Sequence, residues 1–166
     1  MNIALCGFMG SGKSRIGREL AEITGRKLVD TDELIEKEQG VPISRIFAEH
    51  GENYFRELEF EMCRKTADMK DAIISTGGGA MTFQRNVQAI KKGAVVVFLD
   101  TDFDIICKRV GDASTRPLFK NRENAKKLFN ERREKYIAAS DIIINGNQLP
   151  AKVAAEIIKQ CGIICK

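Results

Sequence analysis

The stretch IALCGFMGSGKS at positions 3–14 runs from an apolar segment into a glycine-rich segment and ends in a lysine and a serine. Its last eight residues fit the pattern G-x-x-x-x-G-K-[ST], which occurs as a loop between a strand and a helix. The context agrees, because the apolar run precedes the loop and Ile16, Leu20 and Ile23 follow it at helical spacing. The stretch therefore predicts a strand, a phosphate-binding loop and a helix, which together begin an α/β fold.

The loop predicts several contacts with a nucleotide. Gly7, Gly10 and Gly12 let the backbone curl so that its N–H groups face a phosphate chain, and the following helix N-terminus adds partial positive charge. Lys13 can reach the β- and γ-phosphates, and the Ser14 hydroxyl can bind Mg²⁺. These features indicate nucleotide binding. They do not separate a kinase from a GTPase, but no N-K-x-D pattern for guanine occurs in the sequence.

The rest of the chain alternates apolar runs with longer amphipathic segments. The runs are unbroken, which is typical of strands buried on both faces of a parallel sheet. Their alternation with helices predicts a three-layer α/β/α fold with a five-stranded parallel sheet, in a single domain spanning 1–166. The predicted strands are 3–7, 27–30, 72–75, 94–100 and 141–145, and the predicted helices are 14–24, 33–38, 43–49, 52–68, 82–91, 103–110, 123–138 and 150–160.

Composition narrows the possible function classes. The 166 residues are 43% apolar and 30% charged, with a net charge of +4 from 27 basic and 23 acidic residues. This scattered excess does not favour nucleic acid, and no apolar run is long enough to cross a membrane. The start MNIALCGFMG lacks a basic region, so we expect no signal peptide. Five cysteines without CxxC pairs are typical of reduced thiols, so we expect a cytoplasmic protein, and we expect a monomer.

Two aspartates follow the second predicted strand, in the stretch VDTDE at 29–33. An isolated D-x-D pattern most often means helix capping plus a solvated acid, and Asp32 stands where an N-cap is expected. The carboxyl end of this strand should, however, open onto the same crevice as the phosphate loop. We therefore expect Asp30 to hold the Mg²⁺ shell through water. We expect Asp32 to accept a hydrogen bond from a substrate hydroxyl and to orient or deprotonate it.

Three arginines are candidates for binding an anionic ligand. Arg56 lies in ENYFRELE, Arg116 in TRPL and Arg132 in NERREKY. Arginines of this kind are more often surface ion-pair partners, and glutamates stand near Arg56 and Arg132. Arg116 differs, because it precedes a proline within 111–124, a polar segment that we predict to be a mobile loop. A loop that brings a guanidinium to a γ-phosphate commonly stabilises charge in phosphoryl transfer.

Three consecutive glycines stand in the stretch STGGGA at 75–80. Glycine loses the most backbone freedom on folding, so a triplet destabilises a structure that does not need it. A tight turn explains one or two of the glycines, and three suggest that a ligand passes against bare backbone, with the Gly78 N–H available to it. The stretch carries no acid where many P-loop proteins keep one at a strand end, which leaves Mg²⁺ to Ser14 and Asp30.

In this order, the motifs resemble those of the shikimate kinase family, within the nucleoside-monophosphate-kinase-like group of P-loop proteins. The matched stretches are GFMGSGKS at 7–14, DTD at 30–32, FRELE at 55–59, STGGG at 75–79, TRPL at 115–118 and R-x-x-x-Y at 132–136. Each later stretch is weak alone, but the ordered set spans almost the entire chain. The resemblance implies a P-loop kinase fold with a substrate-binding helical region at about 32–60 and a short lid at about 111–124.

The resemblance also implies ATP-dependent phosphorylation of the 3-hydroxyl of shikimate, on the route to chorismate and the aromatic amino acids. It implies catalytic roles for Lys13, Asp32 and Arg116. ATP is expected at Gly10, Ser11, Gly12, Lys13, Ser14, Arg15, Arg109, Arg116 and Gln148. Shikimate is expected at Asp32, Arg56, Gly77, Gly78, Gly79 and Arg132, where the two arginines grip its carboxylate. Arg133 adjoins Arg132, and the spacing to Tyr136 favours Arg132 for this role.

Three alternatives stay open at the level of sequence. A kinase for another small hydroxy acid, such as gluconate, would share the P-loop and an arginine clamp, but DTD, FRELE and STGGG together favour shikimate. A nucleoside-monophosphate kinase would need a base-recognition pocket that the chain does not evidently supply. A non-catalytic nucleotide sensor would be expected to lack Lys13, Asp32 or Arg116, and all three are present.

Overall fold

The computed structural model describes residues 1–111 and 117–163, and the side chains of all of these except Pro117 and Leu118. Its strands form one five-stranded sheet in which every pairing is parallel, in the order β2-β3-β1-β4-β5. The strands are β1 (Asn2–Cys6), β2 (Lys27–Asp30), β3 (Ala72–Ser75), β4 (Ala94–Asp100) and β5 (Ile142–Asn145). The predicted five-stranded parallel sheet is confirmed, and the strand bounds differ from the predicted ones by at most one residue.

The helices lie between the strands, as the alternation predicted. They are α1 (Lys13–Thr24), α2 (Thr31–Gln39), α3 (Ile43–Ala67), α4 (Gln84–Ile90), α5 (Phe103–Val110), α6 (Arg122–Ala139) and α7 (Pro150–Gln160), with short 3₁₀ turns at Ala80–Thr82 and Pro117–Lys120. Helix α3 is kinked at Gly51, whose φ of 79° is left-handed, so the two predicted helices at 43–49 and 52–68 meet there. None of the described helices is long and apolar enough to span a bilayer.

Two apolar layers cover the sheet. On one face β1 and β4 pack against α3, α4 and α6, around Ala4, Phe98 and the fully buried Tyr136. On the other face, Leu5 and Leu99 pack with α1 and α7 through Leu20 and other apolar residues. A smaller cluster holds α2 against α3, around Ile35, Ile46, Phe55 and Met62. Burial on both faces accounts for the unbroken apolar strands.

The strand register determines which chain segments meet at the carboxyl edge of the sheet. Ser75 at the end of β3 lies beside Leu5 of β1 on one side and beside Asp30 of β2 on the other. The segments that follow these three strands are the phosphate loop, the aspartate pair and the glycine triplet. Because parallel strands end at the same edge, three stretches that are distant in sequence come together there.

Candidate active site

The loop between β1 and α1 has the backbone of a phosphate cradle. Gly7, Gly10 and Gly12 have φ values of 147°, 83° and 102°, which are strained for residues that carry a Cβ. Helix α1 begins at Lys13, whose Nζ donates hydrogen bonds to the carbonyl oxygens of Gly7 at 2.8 Å and Phe8 at 3.2 Å. The lysine therefore lies folded over the loop that it would share with a phosphate.

A cleft of about 1170 Å³ opens beside this loop. It brings together residues from the phosphate loop, from the ends of β2 and β3, and from the segments near Arg109 and Gln148. The predicted residues that line it are Gly10, Gly12, Lys13, Ser14, Arg15, Asp30, Asp32, Gly78, Arg109 and Gln148. Ser11 is buried, and its carbonyl oxygen accepts a hydrogen bond from Arg109 Nη1 at 3.0 Å.

Arg109 joins two segments that border the cleft. Besides Ser11, its guanidinium donates from Nη2 to the carbonyl oxygen of Gly146 at 2.9 Å. The arginine thus ties the phosphate loop to the segment after β5, which contains Gln148. Arg109 and Gln148 both line the cleft, so these two predicted nucleotide residues lie in the same cleft as the phosphate loop.

The expectation that Asp32 is the N-cap of the helix after β2 is wrong. Asp30, not Asp32, is the N-cap of α2, because its Oδ1 accepts from the backbone N–H of Asp32 at 3.0 Å and of Glu33 at 3.4 Å. The strand ends at Asp30 and the helix begins one residue later, so Asp32 lies in the first turn. Asp30 also lines the cleft together with Ser14, and its role as a Mg²⁺ residue stays a prediction.

The Asp32 side chain does not cap the helix and lies against the glycine triplet. Its Oδ1 is buried and has no hydrogen-bond partner among the described residues. Burial raises the pKa of Asp32 to about 6; Asp30 raises it as well, while Lys13 and Arg56 act in the opposite direction. A carboxylate whose pKa lies just below neutrality is mostly ionised at pH 7 yet still accepts a proton readily, which suits a general base.

The glycine triplet makes room for the side chains of the site. A Cβ on Gly77 would lie 2.5 Å from Asp32 Oδ1, and one on Gly79 would lie 2.9 Å from Arg56 Nη1. A Cβ on Gly78 would have its nearest neighbour at 3.6 Å, an ordinary contact. A side chain at Gly77 or Gly79 would therefore have to displace the end of the Asp32 or the Arg56 side chain, whereas Gly78 has room for one and faces the cleft.

Arg56 is held by two glutamates. Its Nη1 donates to Glu59 Oε2 at 2.9 Å, and its Nε and Nη2 donate to Glu52 Oε1 at 3.2 and 3.0 Å. Its guanidinium also lies 4.9 Å from the centre of the Phe83 ring. Glu59 is only 1% exposed, and burial raises its pKa whereas Arg56 lowers it. Sequence analysis treated these glutamates as possible surface partners and missed that Glu59 is a buried support for Arg56.

The side chains of Arg132 and Arg133 bind different residues. Arg132 Nη1 donates to the carbonyl oxygen of Gly78 at 3.3 Å, and the Tyr136 hydroxyl donates to the same oxygen. Arg133 instead forms two hydrogen bonds with the carboxylate of Asp100. The structure thus places Arg132 beside the triplet, in keeping with the spacing to Tyr136. The predicted lid residue Arg116 lies outside the described residues.

Ser75 is a cleft residue that sequence analysis did not assign. It ends β3 and lines the cleft, and its Oγ is buried without a hydrogen-bond partner among the described residues. The available signal was its position at the strand end where other P-loop proteins keep an acid. Within the described ranges, no group of three His, Cys, Asp or Glu side chains is placed to hold a metal ion.

Comparisons with known proteins agree with this geometry. A family model described as shikimate kinase matches residues 9–162. A shikimate kinase of Persephonella marina is 41% identical over 158 residues, which cover 95% of this chain and 96% of that protein. A structure of shikimate kinase from Acinetobacter baumannii in complex with shikimate superimposes with a TM-score of 0.89 at 32% identity, covering 96% of this chain and 92% of that one.

A gluconokinase from Sinorhizobium meliloti shares the fold, with a TM-score of 0.60 at 13% identity over 97% of this chain and 91% of that one. The fold is therefore common to kinases of different small acids, and the sequence likeness makes the distinction between them. With a family model over most of its length and relatives at about 40% identity, the chain belongs to the shikimate kinase family.

Proposed function

We propose that this protein transfers the γ-phosphoryl group of ATP to the 3-hydroxyl of shikimate, releasing ADP and shikimate 3-phosphate. One observation carries the proposal beyond family membership. Asp32, whose buried Oδ1 has no hydrogen-bond partner among residues 1–111 and 117–163, lines the same cleft as Lys13 and adjoins a glycine triplet that Arg56 and Arg132 both approach. This arrangement provides an acid for a hydroxyl, two cations for a carboxylate and a cradle for a phosphate.

The phosphate loop would hold the donor. Backbone N–H groups of the loop and the N-terminus of α1 favour the phosphate chain, and Lys13 would exchange its contacts with Gly7 and Phe8 for the β- and γ-phosphates. Arg109 and Gln148, which line the same cleft, would flank the base. The predicted lid would add Arg116 against the transferring phosphoryl group.

The donor set of the cleft fits Mg²⁺. Ser14, Asp30 and Ser75 carry side-chain oxygens and line one cleft, and Ser75 Oγ has no hydrogen-bond partner in the part of the chain that the structure describes. Mg²⁺ is usually held by one or two protein oxygens with phosphate and water. The ion would neutralise charge that develops on the phosphate oxygens. Ser14 would bind it directly, and Asp30, whose Oδ1 caps α2, would orient a water of its shell.

The acceptor would lie between the arginines and Asp32. Arg56 and Arg132 would bind its carboxylate, since guanidinium groups match carboxylates with two parallel hydrogen bonds. This binding places the ring hydroxyls near Asp32 and Gly78. Asp32 would take the proton of the attacking hydroxyl while that oxygen bonds to the γ-phosphorus and ADP leaves. Most of the rate enhancement would come from alignment and charge stabilisation.

An ADP-release assay with Mg·ATP tests the proposal. Purified protein is offered shikimate, gluconate and a set of nucleoside monophosphates in separate reactions. We expect turnover with shikimate alone, and the product should carry phosphate at the 3-oxygen by phosphorus NMR. Turnover with another acceptor and none with shikimate would overturn the proposal and favour a kinase for a different hydroxy acid.

We propose that the protein acts as a cytoplasmic monomer without nucleic-acid or membrane partners. A small net charge and the absence of a membrane-spanning helix among residues 1–111 and 117–163 support this proposal. Sedimentation equilibrium at micromolar concentration tests the oligomeric state, and a mass twice that of the 18.5 kDa chain would contradict it.

A further inference from the structure

Arg133 forms an ion pair that the proposed chemistry does not use. Its Nε donates to Asp100 Oδ1 at 2.9 Å and its Nη2 donates to Asp100 Oδ2 at 2.6 Å. The two bonds are parallel, so the pair is bidentate and directional. It joins α6 to the last residue of β4.

Asp100 is a firm anchor for this pair. Its backbone oxygen accepts from the N–H of Gly146 at 2.8 Å, which ties the end of β4 to the segment after β5. The next residue, Thr101, donates from its hydroxyl to the carbonyl oxygen of Ser11 at 3.2 Å. Arg133 is therefore attached to the same strand end that supports the phosphate loop.

Arg132, by contrast, has no bidentate ion pair among the described residues, and its guanidinium interacts with the Tyr136 hydroxyl. The hydrogen bond from its Nη1 to the oxygen of Gly78 is 3.3 Å long, and its guanidinium lies 5.9 Å from the centre of the Phe8 ring. The direction of its guanidinium therefore depends on how α6 itself is placed. One turn later, Tyr136 reaches the same Gly78 oxygen and packs against Phe98 of β4, at 5.3 Å between ring centres.

We propose that the Asp100–Arg133 pair is a positioning device for the acceptor site. It fixes the rotation of α6 on the sheet, so that the neighbouring Arg132 presents its guanidinium toward Gly78 and the acceptor carboxylate. Tyr136, one turn later, holds the helix against β4 and the triplet. Asp100 and Arg133 act through Arg132, and the inference rests on the proposed function, since Arg132 is taken to bind the carboxylate of shikimate.

The stability of the protein would depend little on this pair. The side chains of Arg133 and Asp100 are 39% and 24% exposed, and ion pairs at such positions contribute little to folding. Their contribution should instead appear in the affinity for the acceptor. A displaced guanidinium weakens a bidentate contact even when the protein remains fully folded.

The variants R133Q and D100N test the inference because they change the local charge in opposite directions. Loss of positioning predicts that both raise the KM for shikimate, by about three- to tenfold, with the KM for ATP within about twofold of wild type. A simple field effect predicts opposite shifts, weaker shikimate binding for R133Q and tighter binding for D100N. The double variant should be no worse than the poorer single variant, because both remove one interaction.

Three further measurements separate positioning from a general structural role. R122Q breaks another ion pair of α6, between Arg122 and Asp104 at 2.7 Å, and should leave both KM values near wild type. A shikimate analogue with an amide in place of the carboxylate should bind wild type and R133Q about equally by calorimetry. R133K, which keeps the charge but loses the bidentate fork, should recover part of the affinity.

Equal shikimate KM values in R133Q, D100N and wild type would overturn the inference. So would opposite shifts in the two variants, or an equal rise in the KM for ATP and for shikimate. Absence of turnover of shikimate by the wild-type protein would instead overturn the proposed function itself, so the two failures are distinguishable.

Discussion

The two halves of the cleft are built in different ways. The phosphate-binding part of the donor half is one continuous loop, residues 7–14, whose shape comes from glycines at positive φ and from the helix that follows. The acceptor half takes Asp32, Arg56, the triplet at 77–79 and Arg132 from four separate parts of the chain. A phosphate can be bound by local backbone geometry, whereas a small polyhydroxy acid needs side chains whose placement depends on the whole fold.

The halves also differ in how their charges are held. Lys13 donates hydrogen bonds to carbonyl oxygens of its own loop. Arg56 donates a hydrogen bond to the buried Glu59, and Arg132 donates one to the carbonyl oxygen of Gly78. Substitutions in the acceptor half should therefore disturb the neighbouring side chains as well, and so change both acceptor binding and catalysis. Substitutions in the donor half should change nucleotide binding alone.

The largest expected effect is that of Asp32→Asn on turnover. Removing a general base lowers kcat by about 10²–10⁴-fold, and the pKa of about 6 should appear in the wild type as a fall in kcat/KM below pH 6. The asparagine variant should lose that pH dependence. Steady-state rates from pH 5 to 8 measure both, and a variant with wild-type kcat would reduce Asp32 to a binding residue.

The same substitution should stabilise the fold. The pKa of Asp32 is raised from 3.8 to about 6 in the folded protein, so its contribution to stability is lost as the pH rises through 6. At pH 8 the ionised wild type should be less stable than Asp32→Asn by about 2–3 kcal/mol, and this difference should shrink toward pH 5. Urea unfolding at several pH values measures it; a constant difference would show that the carboxylate is not destabilised by burial.

Gly77→Ala and Gly78→Ala form a matched pair within the triplet. The Cβ of the first would lie 2.5 Å from Asp32 Oδ1 and must displace it, while that of the second meets only ordinary contacts. We expect kcat/KM for shikimate to fall about 10²-fold in Gly77→Ala, as for a small displacement of a reacting group, and the melting temperature of Gly78→Ala to remain near wild type. If Gly78→Ala folds normally but loses activity, Gly78 itself contacts the acceptor.

The two arginines should respond differently to truncation. Arg132→Ala should raise the KM for shikimate about tenfold or more with little loss of stability, since it removes one bidentate partner. Arg56→Ala should also destabilise the fold, by about 3 kcal/mol or more, because it leaves Glu59 buried without its cation. The double variant Arg56→Ala with Glu59→Gln should recover stability without recovering acceptor affinity. Equal melting temperatures for the two single variants would contradict this reading.

The smallest expected effect belongs to the donor half. Arg109→Ala removes two hydrogen bonds to backbone carbonyls of Ser11 and Gly146, and should raise the KM for ATP about three- to tenfold, as for the loss of one or two modest hydrogen bonds. The KM for shikimate should not change. A rise in both would show that the phosphate loop also supports the acceptor half, and would weaken the comparison between the two.

Local sequence patterns predicted the phosphate loop and the layout of the fold. The phosphate loop was recognisable because glycine spacing, Lys13 and Ser14 encode its shape within eight residues. The central strands β1, β3 and β4 were recognisable because burial on both faces leaves unbroken apolar runs, whereas the edge strands β2 and β5 are only partly buried. Both signals are local, and pattern analysis reads local signals well.

The fine arrangement of the acceptor half depends on tertiary packing. The glycines that make room for Asp32 and Arg56 do so through contacts between residues far apart in the chain. The Asp30 cap and the Arg56–Glu59 pair span only two and three residues, but where the strand ends and how deeply Glu59 is buried depend on the packing around them. The separate roles of Arg132 and Arg133 depend likewise on the rotation of α6 against β4. Such contacts are set by the packing of elements against one another, and neighbouring letters of a sequence do not carry that information.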